Sequence, residues 1–216
     1  MANFIEEVDE EVRRERMEKL WKRWSPVAIG AVVALLLGVA GYQFWQNYRA
    51  EKSAAESAAF TAAIAQAQDG KPLEAAQAFA SLAQSGDGGY ALLARFQQAA
   101  NLIDGKDVAG AVAAYDAIAA DSGVDAVFRD LARYLAAFHG FGILNAEDVK
   151  QRAATVSATG PWAASARELQ ALAELKAGNI DGARRQLTEI ADDAMAPAGL
   201  RGRAAELLAA LGGPVE

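Results

Sequence analysis

Apolar residues are arranged differently before and after about residue 50. From Trp24 to Tyr48 the chain carries no charged side chain. At about 1.5 Å per residue, a helix of that length crosses the ~30 Å hydrocarbon layer of a bilayer. Aromatic residues stand at both ends of this run, as membrane-interface anchors do. The pattern therefore predicts one transmembrane helix, over residues 26–46.

The charge-free run has two other interpretations. A buried core helix would be expected to carry charges within about 14 residues. A cleaved signal peptide would use Gly38-Val39-Ala40 as its small-residue cleavage site. Against a signal peptide, the segment before the run carries seven acidic side chains, and aromatic residues continue beyond the cleavage site. We expect the helix to remain as an anchor.

Basic residues are unevenly distributed around the predicted span. Six Lys or Arg lie within residues 13–23, whereas only Arg49 and Lys52 follow the span closely. Because the side rich in Lys and Arg stays in the cytoplasm, residues 1–25 are predicted to be a cytoplasmic charged tail. Residues 47–216 are then predicted to be a periplasmic domain of a bacterial inner-membrane protein. The tail itself is either solvated and partly disordered or a docking helix for a cytoplasmic or membrane partner.

Small residues form a stripe on the predicted membrane helix. Gly30, Ala34 and Gly38 recur at every fourth position and therefore share one helix face. Such a face lets a second helix pack closely, although Gly and Ala are also common in membrane helices that pack against nothing. A translocon or a second copy of the chain is the candidate partner, so a homo-oligomer is one expected assembly.

Beyond residue 50, apolar residues recur with the spacing of one helix face. One motif occurs three times: a Gly, a few capping residues, and a helix with apolar residues at positions i, i+4 and i+7. The three apolar residues of each copy form one set. The offset that separates the first two sets is doubled between the second and the third. The positions predicted to pack inside these repeats are Ala75, Phe79 and Leu82, then Ala111, Tyr115 and Ile118, then Ala183, Leu187 and Ile190.

The same offset predicts a degenerate repeat between the second and third sets. Its register falls on Glu147, Gln151 and Ala154, where the apolar pattern is poor. Gly105 and Gly178 are predicted to take the left-handed conformation that ends a helix. Further helices are predicted before the sets, over residues 90–102, 124–138 and 162–175. Support for a helix in the degenerate repeat comes from an Asn145 cap, Val149 and Val156.

A period of roughly 34–36 residues, built from two helices and a short turn, is typical of tetratricopeptide repeats. The predicted fold class is therefore all-α: an N-terminal single transmembrane helix followed by a divergent tetratricopeptide-like helical-hairpin array.

Composition and charge exclude several kinds of function. The net charge of −7 argues against nucleic acid as a partner, because phosphates are bound by a basic surface. The chain has no Cys, and its single His, His139, has no nucleophile or carboxylate at helical spacing. We therefore expect no enzyme activity, no cofactor and no metal site. Ala, the best helix former, supplies 53 of the 216 residues and favours helix throughout.

The order of features resembles the tetratricopeptide-like ancillary subunits of the Sec translocon. That resemblance implies a membrane-anchored periplasmic protein-interaction module that links secreted chains to periplasmic chaperones, with the translocon, chaperones or clients as partners. An envelope scaffold for cell division or wall assembly is the alternative function. The resemblance is carried by Gly41-Tyr42-Gln43-Phe44-Trp45, by residues 161–169 with Ala177-Gly178-Asn179, and by residues 196–204.

Overall fold

The computed structural model describes the backbone of residues 3–86 and 88–213, and most side chains before residue 35 lie outside the described part. Within these limits the chain forms nine α-helices joined by short connections. They are α1 (Asn3–Gln68), α2 (Pro72–Ser85), α3 (Gly88–Asp104), α4 (Val108–Ala120), α5 (Ala126–Gly140), α6 (Ala146–Ala154), α7 (Ala163–Lys176), α8 (Ile180–Asp192) and α9 (Ala198–Ala210).

The chain divides into two units, residues 1–55 and residues 56–216. In its described part the first unit is the helix α1 up to residue 55, and its side chains from Leu35 to Ala50 are exposed. The predicted span, residues 26–46, lies partly outside the described side chains, which omit residues 26–29 and 31–34. Among the described residues, no helix is both long enough and apolar enough to cross a membrane.

The second unit is an array of helical hairpins in which helices adjacent in sequence are adjacent in space. The last turns of α1 pair with α2, α3 pairs with α4, α5 with α6, and α7 with α8. The helix α9 packs on α8 and ends the described array. We call the first helix of each hairpin the A helix and the second the B helix, and α9 occupies an A position. Each apolar cluster joins one hairpin to the next A helix, so the core is continuous along the array.

Each B helix buries one face with the spacing i, i+4 and i+7. In α8 these positions are Ala183, Leu187 and Ile190, and all three are fully buried. The helix begins at Asn179, whose side-chain oxygen accepts a hydrogen bond from the backbone N–H of Gly182 at 3.1 Å. Such a cap satisfies one of the N–H groups that a helix leaves unpaired at its start. The N-cap residue lies four positions before the first residue of the buried set in α8, as it does in α2 and α4, so the three helices share one register.

The turns within the regular hairpins share one left-handed residue directly before the B helix cap. These residues are Gly70, Lys106 and Gly178, with φ of 76°, 67° and 79°. The prediction for Gly105 is wrong, because the left-handed residue is its neighbour Lys106. A Cβ atom at Gly105 would collide with the side chain of Leu73 on α2, so this glycine permits close packing instead.

The third hairpin departs from the predicted register by two positions. Its B helix, α6, has only 9 residues and buries Val149 and Ala153, and the buried Val156 lies two residues beyond its end. The predicted positions Glu147, Gln151 and Ala154 are all exposed. The connection from α5 to α6 covers residues 141–145, two more than the matching turns, but α5 ends two residues sooner after its buried Ala137 than the other A helices do after theirs. The shift is therefore already present at Ala137, two positions beyond the place that the 36-residue offset gives from Ala99.

Candidate functional site

An open groove crosses the A helices α5, α7 and α9. Each helix contributes residues about one turn apart, and the groove encloses about 660 Å³. This volume falls within the range of roughly 300–1,000 Å³ that is usual for ligand pockets. The lining side chains are Tyr134 and Phe138 of α5, Glu168, Leu169 and Leu172 of α7, and Arg203, Glu206 and Leu207 of α9.

The lining residues form two rows across the three helices. Tyr134, Glu168 and Arg203 follow one another at intervals of roughly 34–35 residues, the length of one tetratricopeptide repeat. Phe138, Leu172 and Leu207 do so at the same intervals, one helical turn further along. Equivalent positions of successive repeats therefore face the same groove. We call the first set the polar row and the second the apolar row.

An ion pair fixes the polar row. The Nε and Nη2 atoms of Arg203 donate to the two carboxylate oxygens of Glu168, each at 2.9 Å. The Glu168 side chain is 13% exposed and that of Arg203 is 57% exposed. The bidentate bond raises the pKa of Arg203, so its guanidinium stays charged. This pair joins α7 to α9 across the wall of the groove.

Aromatic rings build the α5 side of the groove. Tyr134 stacks on Phe138 with ring centroids 5.8 Å apart, and on Trp162 at 6.3 Å. The indole Nε1 of Trp162 donates to the backbone oxygen of Val127 at 3.2 Å, which orients the ring. Burial, together with the nearby charge of Glu168, raises the pKa of Tyr134, so its hydroxyl stays protonated at neutral pH. Phe138 is 51% exposed and offers its ring to the groove.

Glu206 adds a second carboxylate at the rim of the groove. It lies three positions after Arg203 on α9 and is exposed. Within the described part of the chain, the guanidinium of Arg203 is bonded to Glu168 and not to Glu206. The groove therefore carries two carboxylates and one guanidinium.

The residues predicted to pack inside the repeats lie in the core and not in the groove. All nine are buried, and even Leu82 and its equivalents are at most 6% exposed. In each of the four hairpins, one buried Ala of the A helix precedes the first residue of the buried i, i+4, i+7 face of the B helix, and the number of positions between the two is the same every time. Sequence reasoning missed these partners, although the constant spacing could have identified them. They are Ala63, Ala99, Ala137 and Ala171, paired with Ala75, Ala111, Val149 and Ala183.

The small-residue stripe of the first unit has no described contact within the chain. A Cβ atom added at Gly30 or Gly38 would meet no described atom within 4 Å. The side chain of Ala34 lies outside the described residues. A contact between this stripe and another helix stays a prediction.

The titratable groups of the array serve packing and ion pairs. His139 stacks on the ring of Tyr115 with centroids 5.9 Å apart, and burial lowers the pKa of the imidazole. Glu174 is buried, and Lys150 and Asn179 bind its two oxygens at 2.6 and 2.7 Å. In the described side chains, no group of three or more His, Cys, Asp or Glu residues is placed to hold a metal ion.

Comparison with known proteins identifies the architecture. A family model described as "Tetratricopeptide repeat-like domain" matches residues 18–138. Two solved structures are similar: a putative kinesin light chain of Podosopora anserina with nearly identical TPR-like repeats, and its Q17M variant. Each is 13% identical to this chain, covers 72% of it and 84% of its own length, and superimposes with a TM-score of 0.54. No curated protein matches the chain significantly. The prediction of an all-helical, tetratricopeptide-like array is therefore confirmed.

Proposed function

The chain belongs to the tetratricopeptide repeat-like family, and we propose that it is a protein-interaction module whose groove across α5, α7 and α9 binds a segment of a partner, and that its first unit anchors it in a membrane. Repeat arrays bury a continuous core and leave extended surfaces for binding. The observation that carries the proposal is the apolar row, in which exposed Phe138 and half-buried Leu172 and Leu207 line an open groove, the two leucines also packing against the core. Exposed apolar side chains that are rimmed by charges are typical of protein-binding surfaces.

The groove is arranged to bind a partner in a fixed way. Tyr134 is fixed between two other rings, and Glu168 is fixed by Arg203. Side chains that are already ordered lose little conformational entropy when a partner arrives, so a larger part of the contact energy appears as affinity. The aromatic rings contribute large contact areas, as they do at the centres of many interfaces.

The anchor is supported by the first unit. The side chains of Leu35, Leu36 and Leu37 are exposed, at 60–69%. Beyond them, exposed aromatic rings occur at the end of the charge-free run, where the guanidinium of Arg49 lies 3.7 Å from the ring centre of Trp45. Apolar residues followed by an aromatic and basic border are the usual sequence of a membrane helix leaving the bilayer. With Lys and Arg concentrated before this run, the array would face the periplasm.

The proposed partners follow from the resemblance to ancillary subunits of the Sec translocon. The anchor would place the array beside the translocon, and the groove would bind emerging chains or periplasmic chaperones. Tethering near one surface raises the effective concentration of the array there, commonly to about millimolar for a short flexible connection, which supports weak binding. The stripe of Gly30, Ala34 and Gly38 is the surface proposed to contact the translocon or a second copy.

Site-specific photo-crosslinking in living cells tests this proposal. A photoreactive phenylalanine analogue replaces Phe138 in the full-length chain, and the same analogue at Gln151 serves as the control. Gln151 is exposed on α6 but lies outside the groove. We expect position 138 to capture translocon subunits, chaperones or secreted chains that position 151 does not.

Two other outcomes have clear meanings. Capture of cell-division or wall-assembly proteins at position 138 would favour the envelope-scaffold function and exclude the translocon role. Equal capture at both positions, or capture at neither, would contradict the assignment of the groove as the binding site.

A further inference from the structure

The groove is narrow along the helices and long across them. On each helix its two rows are four positions apart, which corresponds to about 6 Å at 1.5 Å per residue. An α-helix with side chains is about 10–12 Å wide, so a partner helix would extend beyond the two rows on both sides. Across the helices the groove continues over three of them. These proportions favour a single extended strand of partner chain that crosses α5, α7 and α9.

The apolar row sets the spacing of side chains in such a strand. Packed helices lie about 8–10 Å apart, and the row provides one apolar side chain on each helix. A polyproline II segment advances about 9 Å per turn of three residues. Every third side chain of that conformation therefore points the same way at nearly the spacing of the helices. Successive apolar side chains of the occupant would meet Phe138, Leu172 and Leu207.

The charges at the rim of the groove favour one sign of charge on the partner residue that follows the last apolar side chain of the bound segment. Arg203 is held by both of its bonds to Glu168, and exposed Glu206 leaves one surplus carboxylate beside Leu207. The chain as a whole carries a net charge of −7, so its long-range field attracts cations as well. A Lys or Arg next to the last apolar side chain of the occupant complements this rim.

We propose that the groove binds an extended protein segment that has an apolar residue at every third position and a basic residue at the end that meets α9. This inference rests on the proposed function, which places a partner segment in the groove. It adds the conformation, the spacing and the charge of that segment.

Peptide binding to the full-length chain in mild detergent tests the inference. The probe is a labelled peptide of about nine residues, enough to cross three helices in the extended form. It carries Leu at every third position, a Lys after the last Leu, and Pro, Ser and Gln elsewhere. One control peptide has the same composition with the Leu residues adjacent, and another has Glu in place of Lys. Fluorescence anisotropy measures binding, with detergent alone as the blank.

We expect the probe to bind about tenfold more tightly than the peptide with adjacent Leu residues, a difference of about 1.4 kcal/mol. Glu206→Gln should weaken binding of the Lys peptide by about threefold, as an exposed ion pair would, and should leave binding of the Glu peptide unchanged or improved. Glu206→Lys should reverse the preference in favour of the Glu peptide. Residue 206 is exposed, so these substitutions leave the fold intact, as circular dichroism would verify.

Equal binding of all peptides, tighter binding of the acidic peptide to the unaltered chain, or no peptide binding would overturn this inference. Photo-crosslinks from position 138 would still support the proposed function in each of these cases. Loss of those crosslinks would remove the proposed function itself, so the two experiments separate the two failures.

Discussion

The hairpins α7–α8 and α5–α6 form the same packing interface by different means. In α8 the middle position of the buried face is Leu187, whereas in α6 it is Ala153. Larger side chains from the surrounding connections, including Leu144 and Trp162, pack against the α6 cluster instead. The comparison shows that a repeat tolerates a smaller B helix when its connections supply the missing volume.

Polar contacts also tie the third hairpin to its neighbours. Arg152 of α6 donates to both carboxylate oxygens of Asp116 on α4, at 3.2 and 2.8 Å. On the other side, the ammonium of Lys176 donates to the backbone oxygens of Phe141 and Leu144 at 2.5 and 2.6 Å. These carbonyls belong to the connection from α5 to α6. The irregular connection is therefore held by α7.

The largest expected effect on stability comes from the different side-chain volumes that the two B helices bury. Leu187→Ala removes most of a fully buried side chain, so we expect a loss of about 2–5 kcal/mol in the free energy of unfolding. Ala153→Gly at the matching position should cost only about 1 kcal/mol, the helix propensity difference. Urea unfolding of the full-length chain in mild detergent measures both. Equal losses would mean that the two hairpins are packed alike.

A smaller effect is expected at the left-handed turn residues. Gly178→Ala puts a Cβ atom at φ 79°, which should cost about 1–2 kcal/mol. Lys106 already bears that strain at φ 67°, so Lys106→Gly should stabilise the α3–α4 hairpin, by up to about 1 kcal/mol. The same unfolding experiment compares the two variants. A loss of stability in Lys106→Gly would show that the lysine side chain matters more than its backbone conformation.

The smallest expected effect is a change in the free energy of unfolding with pH that comes from Glu174. It is small because Lys150 is 43% exposed, so water screens the ion pair. Hydrogen bonds from Lys150 and then Asn179 lower the pKa of Glu174 below its ordinary value. This stabilisation is present in full above the unfolded pKa of about 4.3 and is lost as the pH falls through the folded pKa. The stability difference between the unaltered chain and Glu174→Gln should therefore shrink below that pH.

Glu189→Gln, which removes an exposed carboxylate on α8, provides the control for charge removal. The assigned role of Glu174 would be contradicted if the stability difference between the unaltered chain and Glu174→Gln stayed constant from neutral to acid pH.

The helical repeat could be predicted because its signal is local and periodic. The spacing i, i+4 and i+7 places three side chains on one helix face whatever lies around them. The doubled offset from Ala111 to Ala183 also held, because the late position of Val149 lengthens one interval and shortens the next equally. The shift of α6 is already present at Ala137 of α5, which lies 38 residues after Ala99 instead of 36, and the period alone does not specify it.

The groove could not be predicted from the same signal. Its rows join residues on α5, α7 and α9 that are one repeat apart but differ in chemistry, such as Tyr134, Glu168 and Arg203. A search for similar residues at a fixed period does not find them. Aligning the A helices by their buried alanines would have placed these positions in register, because Ala137 and Ala171 have the same separation as Tyr134 and Glu168.

Co-purification of a groove variant tests the role of the groove most directly. Phe138→Glu places a charge in the apolar row at a residue that is 51% exposed, so the fold should survive. Gln151→Glu adds the same charge outside the groove. We predict that protein partners isolated with the full-length chain are lost from Phe138→Glu and retained by Gln151→Glu, with unchanged helical content in both. Full retention of partners by Phe138→Glu would contradict the assignment of the groove as the binding site.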